Sequence, residues 1–212
     1  ENMMRGFQLG AADYIIKPFN EMEVLARIKT HLSLQKLMKE KNELIQEVAS
    51  LSRIDPLTGL SNRRDITEVL NQEQLRYERY KKTFAVIMGD IDFFKKTNGQ
   101  FGHDMGDCIL KQVADIIKEE TRKVDFLARW GGEEFLVVLP ETNLAGGVNV
   151  AESIRKVIQN KKFGFKGNEI SISLSFGVGC HTGEGMKLNK LLEMADDRLC
   201  TAKSRGRNQV VS

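Results

Sequence analysis

Three short clusters in this 212-residue chain carry side chains able to act together on one substrate. Asp90 and Asp92 stand two apart at the end of the apolar run Phe84–Ile91. If the strand continues that far, both carboxylates point the same way. Such a pair at a strand tip attracts a hard cation such as Mg2+, which takes oxygen ligands and substrate phosphates. Read alone, Asp-x-Asp is more simply a helix N-cap beside a surface acid. Glu133 and Glu134 follow the diglycine Gly131-Gly132, where the missing side chains let a bulky ligand approach the backbone. By itself that tetrad is a plain turn with solvated acids. Taken together, the two acidic sources can place three carboxylates around one metal centre. Lys203 and Arg207, four apart, share a face if their helix continues, and suit a polyphosphate as point charge and fork. Their simpler role is to complement a helix C-terminal dipole, with Gly206 as terminator.

The elements that must position these groups alternate in period. Residues 21–54 contain no Gly or Pro and are rich in Leu, Lys, Glu and Gln, which predicts one long helix. Leu37, Leu44 and Leu51 repeat every seven residues, with Leu34, Lys41 and Val48 as the companion row, the pattern of a short coiled-coil seam. An amphipathic helix lying on its own domain is the alternative. Beyond Asp55-Pro56, residues 63–82 read as a charged helix and Phe84–Ile91 as a buried strand. Ile109, Leu110, Val113, Ile116 and Ile117 form one helix face. Phe126–Trp130 and Phe135–Leu139 flank the diglycine as a hairpin. Val148, Ala151, Ile154 and Ile158 mark another helix. Ile170 to Val178 alternates bulky residues with Ser or Gly, as a strand would. A helix from Leu188 to Ala202 and a short Val210-Val211 strand close the chain. The order predicts an α+β fold: a ferredoxin-like, palm-type central antiparallel sheet with a β-α-β-β-α-β core, added helices and a preceding helical stalk.

Composition narrows the function classes. Hydrophobic residues make up 41% and charged residues 29%, which excludes wholesale disorder. Lys and Arg outnumber Asp and Glu by 32 to 29, too small an excess for a duplex-binding protein. No apolar run approaches membrane-spanning length, and no secretory leader stands at the start. Cys108, Cys180 and Cys200 are scattered and read as reduced thiols, so a cytoplasmic location is expected. The opening Glu1-Asn2-Met3 lacks an initiator Met and reads as a cut end.

Several ordered motifs resemble one family. Asp55-Pro56-Leu57-Thr58-Gly59-Leu60, Asp90-Ile91-Asp92-Phe93-Phe94-Lys95 with Asn98, Gly102-His103-Asp104-Met105-Gly106-Asp107, Gly131-Gly132-Glu133-Glu134-Phe135 and Ala195-Asp196 through Arg207-Asn208 are similar to the signature segments of GGDEF domains, the diguanylate cyclases, in the GGEEF form. The resemblance implies that two GTP molecules condense to cyclic di-GMP with loss of pyrophosphate, one GTP on each subunit of a homodimer. It implies that Asp90, the Ile91 carbonyl and Glu133 bind two Mg2+ ions per site, with Mn2+ as a substitute. Glu134 would complete the metal site and assist deprotonation, so Asp90, Glu133 and Glu134 are the expected catalytic acids. Phe93, Phe94 and Lys95 through their amides, with Lys203 and Arg207, would hold phosphates. Asn98 and Asp107 would read guanine.

Arg122-Lys123-Val124-Asp125 resembles the family's product-inhibition motif, with Arg122 and Asp125 as its binding residues. The place of a second inhibitory arginine falls on Ser153, with Arg155 nearby. Gly99 replaces the usual Asp after Asn98, a change expected to loosen that loop. Residues 1–20 resemble the end of a response-regulator receiver domain, which implies a phosphoryl-contacting Lys17, a cis Lys17-Pro18 bond, Tyr14 as switch aromatic and an upstream histidine kinase. The expected organisation is therefore a receiver remnant over 1–20, a coiled-coil linker over 21–54 and a catalytic domain over 55–212. A GTP or cyclic di-GMP receptor with weak catalysis is the main alternative. A cyclase making adenine-containing products is another, against which Asp107 argues.

Overall fold

The computed structural model describes residues 17, 18, 20–165, 167–181, 183 and 185–212. The chain divides into two compact units that part between Ser52 and Arg53. In the first, helix α1 (Glu21–Leu51) begins where the Asn20 side chain accepts from the Met22 amide, 2.9 Å away. Glu21 and Glu23 in its first turn suit the helix dipole. Leu25, Ile28, Leu32, Leu34, Leu37 and Met38 are all exposed along it. The Lys17-Pro18 bond is cis. Tyr14, the expected switch aromatic, lies outside the described residues, as do the side chains of Leu44, Val48 and Leu51.

The second unit is a sheet between two pairs of helices. After β1 (Ser61–Asn62), α2 (Arg63–Tyr80) is capped by Asn62, whose side chain accepts from the Asp65 amide. It ends on Lys81 in a left-handed conformation. Strand β2 (Phe84–Ile91) leads to two short-linked helices, α3 (Phe94–Phe101) and α4 (His103–Glu119). The hairpin β3 (Phe126–Gly131) and β4 (Glu134–Pro140) follows, then α5 (Leu144–Asn160), a two-stranded flap of β5 (Phe163–Phe165) and β6 (Asn168–Ile170), β7 (Leu174–His181), α6 (Leu188–Ser204) and β8 (Val210–Val211).

The main sheet runs β1-β3-β4-β2-β7-β8. Its four central strands are antiparallel neighbours in ferredoxin-like order, whereas β1 and β8 pair parallel with β3 and β7. The sheet is thus mixed at its edges, where the alternation pattern gave no sign because each edge strand is only two residues long. Two further features differ from expectation. Residues 94–101 form a helix of their own, and Gly99 lies inside it, not in a loop. The stretch from Ile170 to Val178 is not one strand: Ile170 ends β6, and β7 starts at Leu174.

Strand β2 is buried on both faces, and its side chains alternate between two cores. Ala85 and Ile87 join Ile109, Val113, Ile116 and Ile117 of α4 and Ala151, Ile154 and Ile158 of α5. Phe84, Val86 and Met88 join Ile66 and Leu70 of α2 and Leu191, Ala195 and Leu199 of α6. Each fully buried aliphatic side chain contributes about 1.5–3 kcal/mol, so both helix pairs are held firmly to the sheet. On β7, Gly177 lets α6 approach directly. A Cβ there would stand 2.0 Å from the Ala195 carbonyl oxygen.

Candidate active site

The C-terminal end of β2 is where the signature segments meet. In the sheet register Asp90 lies opposite Glu134 on one side and Ser175 on the other. The Ile91 amide donates to the Glu133 carbonyl across 3.3 Å. Gly132 turns the hairpin with φ 51, a left-handed value that favours glycine. Glu133 and Glu134 therefore arrive beside Asp90 because strand pairing puts them there.

Lys203, in the last turn of α6, reaches Asp90 with a 2.8 Å ion pair. Burial pushes the Asp90 carboxyl above its ordinary range; Lys203 opposes that, and the charges of Glu133 and Asp92 add to it. Glu134 is also raised, first by burial and then by the charge on Asp90. A cluster of partly buried oxygens that repel one another fits a hard divalent cation, and Mg2+ needs only one or two carboxylates when phosphates supply the rest. Among the described residues no three His, Cys, Asp or Glu side chains converge as a ready metal cage. The expected triad of carboxylates around one centre is thus not preformed. What stands against Asp90 is the ammonium of Lys203.

One cleft of about 230 Å3 is shared by Asp90, Ile91, Asp92, Glu133, Phe93, Phe94, Lys95, Lys203 and Arg207. Phe93 precedes α3 with φ 58, and the Arg207 guanidinium lies 4.4 Å over its ring. The start of α3 offers backbone N–H groups to an anion, and the two cations stand beside it. Asn98, on the same helix, is packed so closely on α4 that a Cβ at Gly106 would come within 2.0 Å of its Oδ1. That oxygen is buried without a hydrogen-bond partner. Asp107 is exposed on the next residue of α4. Of the two expected guanine readers, Asn98 thus packs against the residue that precedes Asp107.

Arg122 and Asp125 lie elsewhere. They line a second cleft of about 510 Å3 together with Arg76, Phe126 and Glu141. Asp125 accepts from the Arg122 amide at 2.8 Å, while the Arg122 guanidinium donates to Thr142 at 3.0 Å. Asp125 Oδ1 is buried without a partner. Ser153 donates to Glu120, and Arg155 is held by Glu152, Gln159 and Asn208, so neither is committed to the Arg122 cleft.

Side chains flanking these clefts take several roles. Asp92 faces Ser173 and Ser175, which donate to it at 2.7 and 2.8 Å. Those serines therefore anchor a carboxylate at the end of β2. Trp130 packs against the second core with the Arg63 guanidinium 4.4 Å over its ring. His103 is exposed at the start of α4. Sequence reading missed Arg129, whose guanidinium donates to the Gly132 carbonyl at 2.8 Å and pairs with Asp55 at 3.2 Å. Burial alone would raise the Asp55 carboxyl, but hydrogen bonds from Thr58 and the Arg129 charge hold it below its ordinary value. Arg76 was missed as well, since nothing in a charged surface helix distinguishes an arginine that faces a cleft.

A mixed α/β/α sandwich with a cation-flanked acidic cleft at a strand end defines the class to which the chain is compared. Residues 52–209 match the family model described as "Diguanylate cyclase, GGDEF domain", and the chain belongs to that family. It is 35% identical over 211 residues to the response regulator PleD of Caulobacter vibrioides, covering 99% of this chain and 46% of PleD. It is 36% identical over 195 residues to the diguanylate cyclase DgcP of Pseudomonas aeruginosa, covering 90% of this chain and 29% of DgcP. The chain thus spans less than half the length of both relatives. Among solved structures, the GGDEF domain of DgcB from Caulobacter crescentus in complex with c-di-GMP superposes with a TM-score of 0.73 at 29% identity, covering 76% of this chain and 95% of that one. No helix among the described residues is long and apolar enough to cross a membrane.

Proposed function

We propose that this chain is a diguanylate cyclase module that condenses two GTP into cyclic di-GMP and two pyrophosphates. The observation that carries this reading is the single cleft in which Asp90, Glu133, the start of α3, Lys203 and Arg207 come together. In each half-reaction a ribose 3′-hydroxyl attacks the α-phosphorus of the other GTP, the new P–O bond forms, and pyrophosphate leaves. Glu134, its carboxyl raised by burial and by Asp90, is suited to take the hydroxyl proton. Lys203 and Arg207 neutralise charge on the β- and γ-phosphates, and Phe93–Lys95 amides fix their position. Asn98 and Asp107 select guanine, the carboxylate accepting from its ring and amino N–H groups. Asp90, the Ile91 carbonyl, Glu133 and Glu134 would hold two Mg2+ ions, or Mn2+ in their place. Bound there, such ions supply charge neutralisation at the phosphates and lower the pKa of the attacking hydroxyl.

Two sites must face each other for this reaction, so the active form is a homodimer, joined through the exposed Leu-rich side of α1 and the catalytic unit. The Arg122–Asp125 cleft supports product inhibition, because its guanidinium and its unpartnered carboxylate oxygen suit phosphate and guanine. The similarity to PleD supports a place as the cytoplasmic output of a response regulator, with a receiver remnant over 1–20, a linker over 21–54 and a cyclase over 55–212. Purified dimer incubated with GTP and Mg2+ is expected to give a product with the mass of cyclic di-GMP. Tight binding of cyclic di-GMP with no turnover would instead favour a receptor, and product from a GTP/ATP mixture reports base selection.

A further inference from the structure

We propose that Asp92 is a positioning residue for the phosphate-binding walls of the cleft, not a metal ligand. The inference rests on reading Phe93–Lys95, Lys203 and Arg207 as the polyphosphate site. Asp92 is 5% exposed, and donors already engage both of its carboxylate oxygens. Oδ2 accepts from the Ser173 hydroxyl at 2.7 Å and the Asn208 amide at 3.1 Å; Oδ1 accepts from the Ser175 hydroxyl at 2.8 Å. Its own amide donates to the Ser173 carbonyl at 2.9 Å. The carboxylate is thus built into the junction between the end of β2, the start of β7 and the segment after α6.

What that junction holds is strained. Phe93, next to Asp92, has φ 58, and Arg207 and Asn208 have φ 65 and φ 48. Non-glycine residues keep such conformations only where surrounding contacts over-determine them. Asp92 is joined to both stretches, by covalent linkage to Phe93 and by accepting from the Asn208 amide, which also donates to Ser175 Oγ at 3.1 Å. Through them it sets the Arg207 guanidinium 4.4 Å over the Phe93 ring. A second clamp acts from α5, where Arg155 donates to Asn208 Oδ1 at 3.0 Å. A buried carboxylate that only stabilised the core would not need to end on the backbone of the residue after a phosphate-binding arginine.

The test separates the phosphates from the base. Affinities for 3′-deoxy-GTP, which lacks the attacking hydroxyl, and for GMP, which lacks the β- and γ-phosphates, are measured by calorimetry with Mg2+ present. Asp92→Asn places an amide N–H against the Asn208 amide or Ser donors and is expected to weaken 3′-deoxy-GTP about tenfold or more, as loss of a charge-assisted contact does. GMP affinity should stay within about twofold, and steady-state GTP kinetics should show KM raised with kcat largely kept. Equal losses for both ligands, or no loss, overturn the proposal. So does a fall in kcat with affinity unchanged, which would place Asp92 among the metal ligands. Wild-type protein that binds neither ligand overturns the phosphate-site reading itself, and this inference with it. Should Asp92→Asn fail to fold, Ser173→Ala removes one donor and is expected to shift the same ratio by about two- to threefold; an unchanged ratio counts against the proposal.

Discussion

Glu134 sits where the fold would prefer it uncharged, opposite Asp90 and partly buried. A carboxyl raised in the folded state destabilises the fold once pH exceeds its ordinary value, because ionisation is harder there than in the unfolded chain. Glu134→Gln removes that cost. It is expected to raise Tm by a few degrees at pH 7 while cutting GTP turnover by orders of magnitude, as scanning calorimetry and a product assay would register. Asp55 has the opposite sign. Its carboxyl is held below the ordinary 3.8, so the stability it contributes is full above that value and is lost as pH falls through the lower folded value. Asp55→Asn should cost about 1–2 kcal/mol at neutral pH, with the gap from wild type closing as pH drops below about 4 in urea titrations. The acids and cations of the cleft were legible from residue type and spacing. Arg129 was not, because its partner lies 74 residues away and no local pattern links them.

Helix placement at this site depends on two glycines with opposite consequences. At Gly177 a Cβ would collide with the α6 backbone, so Gly177→Ala must displace the helix that carries Lys203. Overpacking of this kind costs about 1–3 kcal/mol, and both stability and turnover should fall together. Gly99 lies inside α3 with nothing within 4 Å of a built Cβ. Gly99→Ala is therefore expected to stabilise the unit by about 0.5–1 kcal/mol, measured by chemical denaturation, without loss of activity. The longer helices and the central strands were readable because each shows several turns of a clear apolar period. Helix α3 was hidden, since its eight residues contain Lys95, Lys96, Thr97 and Gln100 and only one fully committed core side chain, Phe94. Edge strands of two residues carry no period at all.

At the scale of the whole molecule, the chain forms two compact units that part between Ser52 and Arg53. The cyclase reading requires two clefts to meet, so activity per protomer should rise with protein concentration through the dimerisation range and then level off. Deleting one heptad from α1 keeps the face of the helix but shortens it by about 10 Å, from the 1.5 Å rise per residue. If stalk pairing controls the rate, that deletion changes turnover; unchanged dimerisation and activity would sink the idea. The division expected at Asp55-Pro56 falls beside the boundary between Ser52 and Arg53. The sequence also carries a seven-residue repeat in α1, but an unpartnered repeat on one chain does not itself specify what lies against it.

The ion pair between Asp55 and Arg129 has a kinetic side. Arg129 also holds the Gly132 carbonyl, so the tip of the acidic hairpin is latched to the opening segment of its own unit across 74 residues of sequence. Such a contact closes a long loop, and local opening concentrates where the backbone is exposed, as it is at Gly131 and Gly132. The tip of the β3–β4 hairpin would then breathe independently of the strands beneath it. The Ile91 amide hydrogen, bonded to the Glu133 carbonyl, should exchange with deuterium faster in Asp55→Asn, while those of Val137 and Val138 keep their protection. A hairpin that can loosen without unfolding its sheet would let the cleft widen at Glu133 while the strands beneath stay paired.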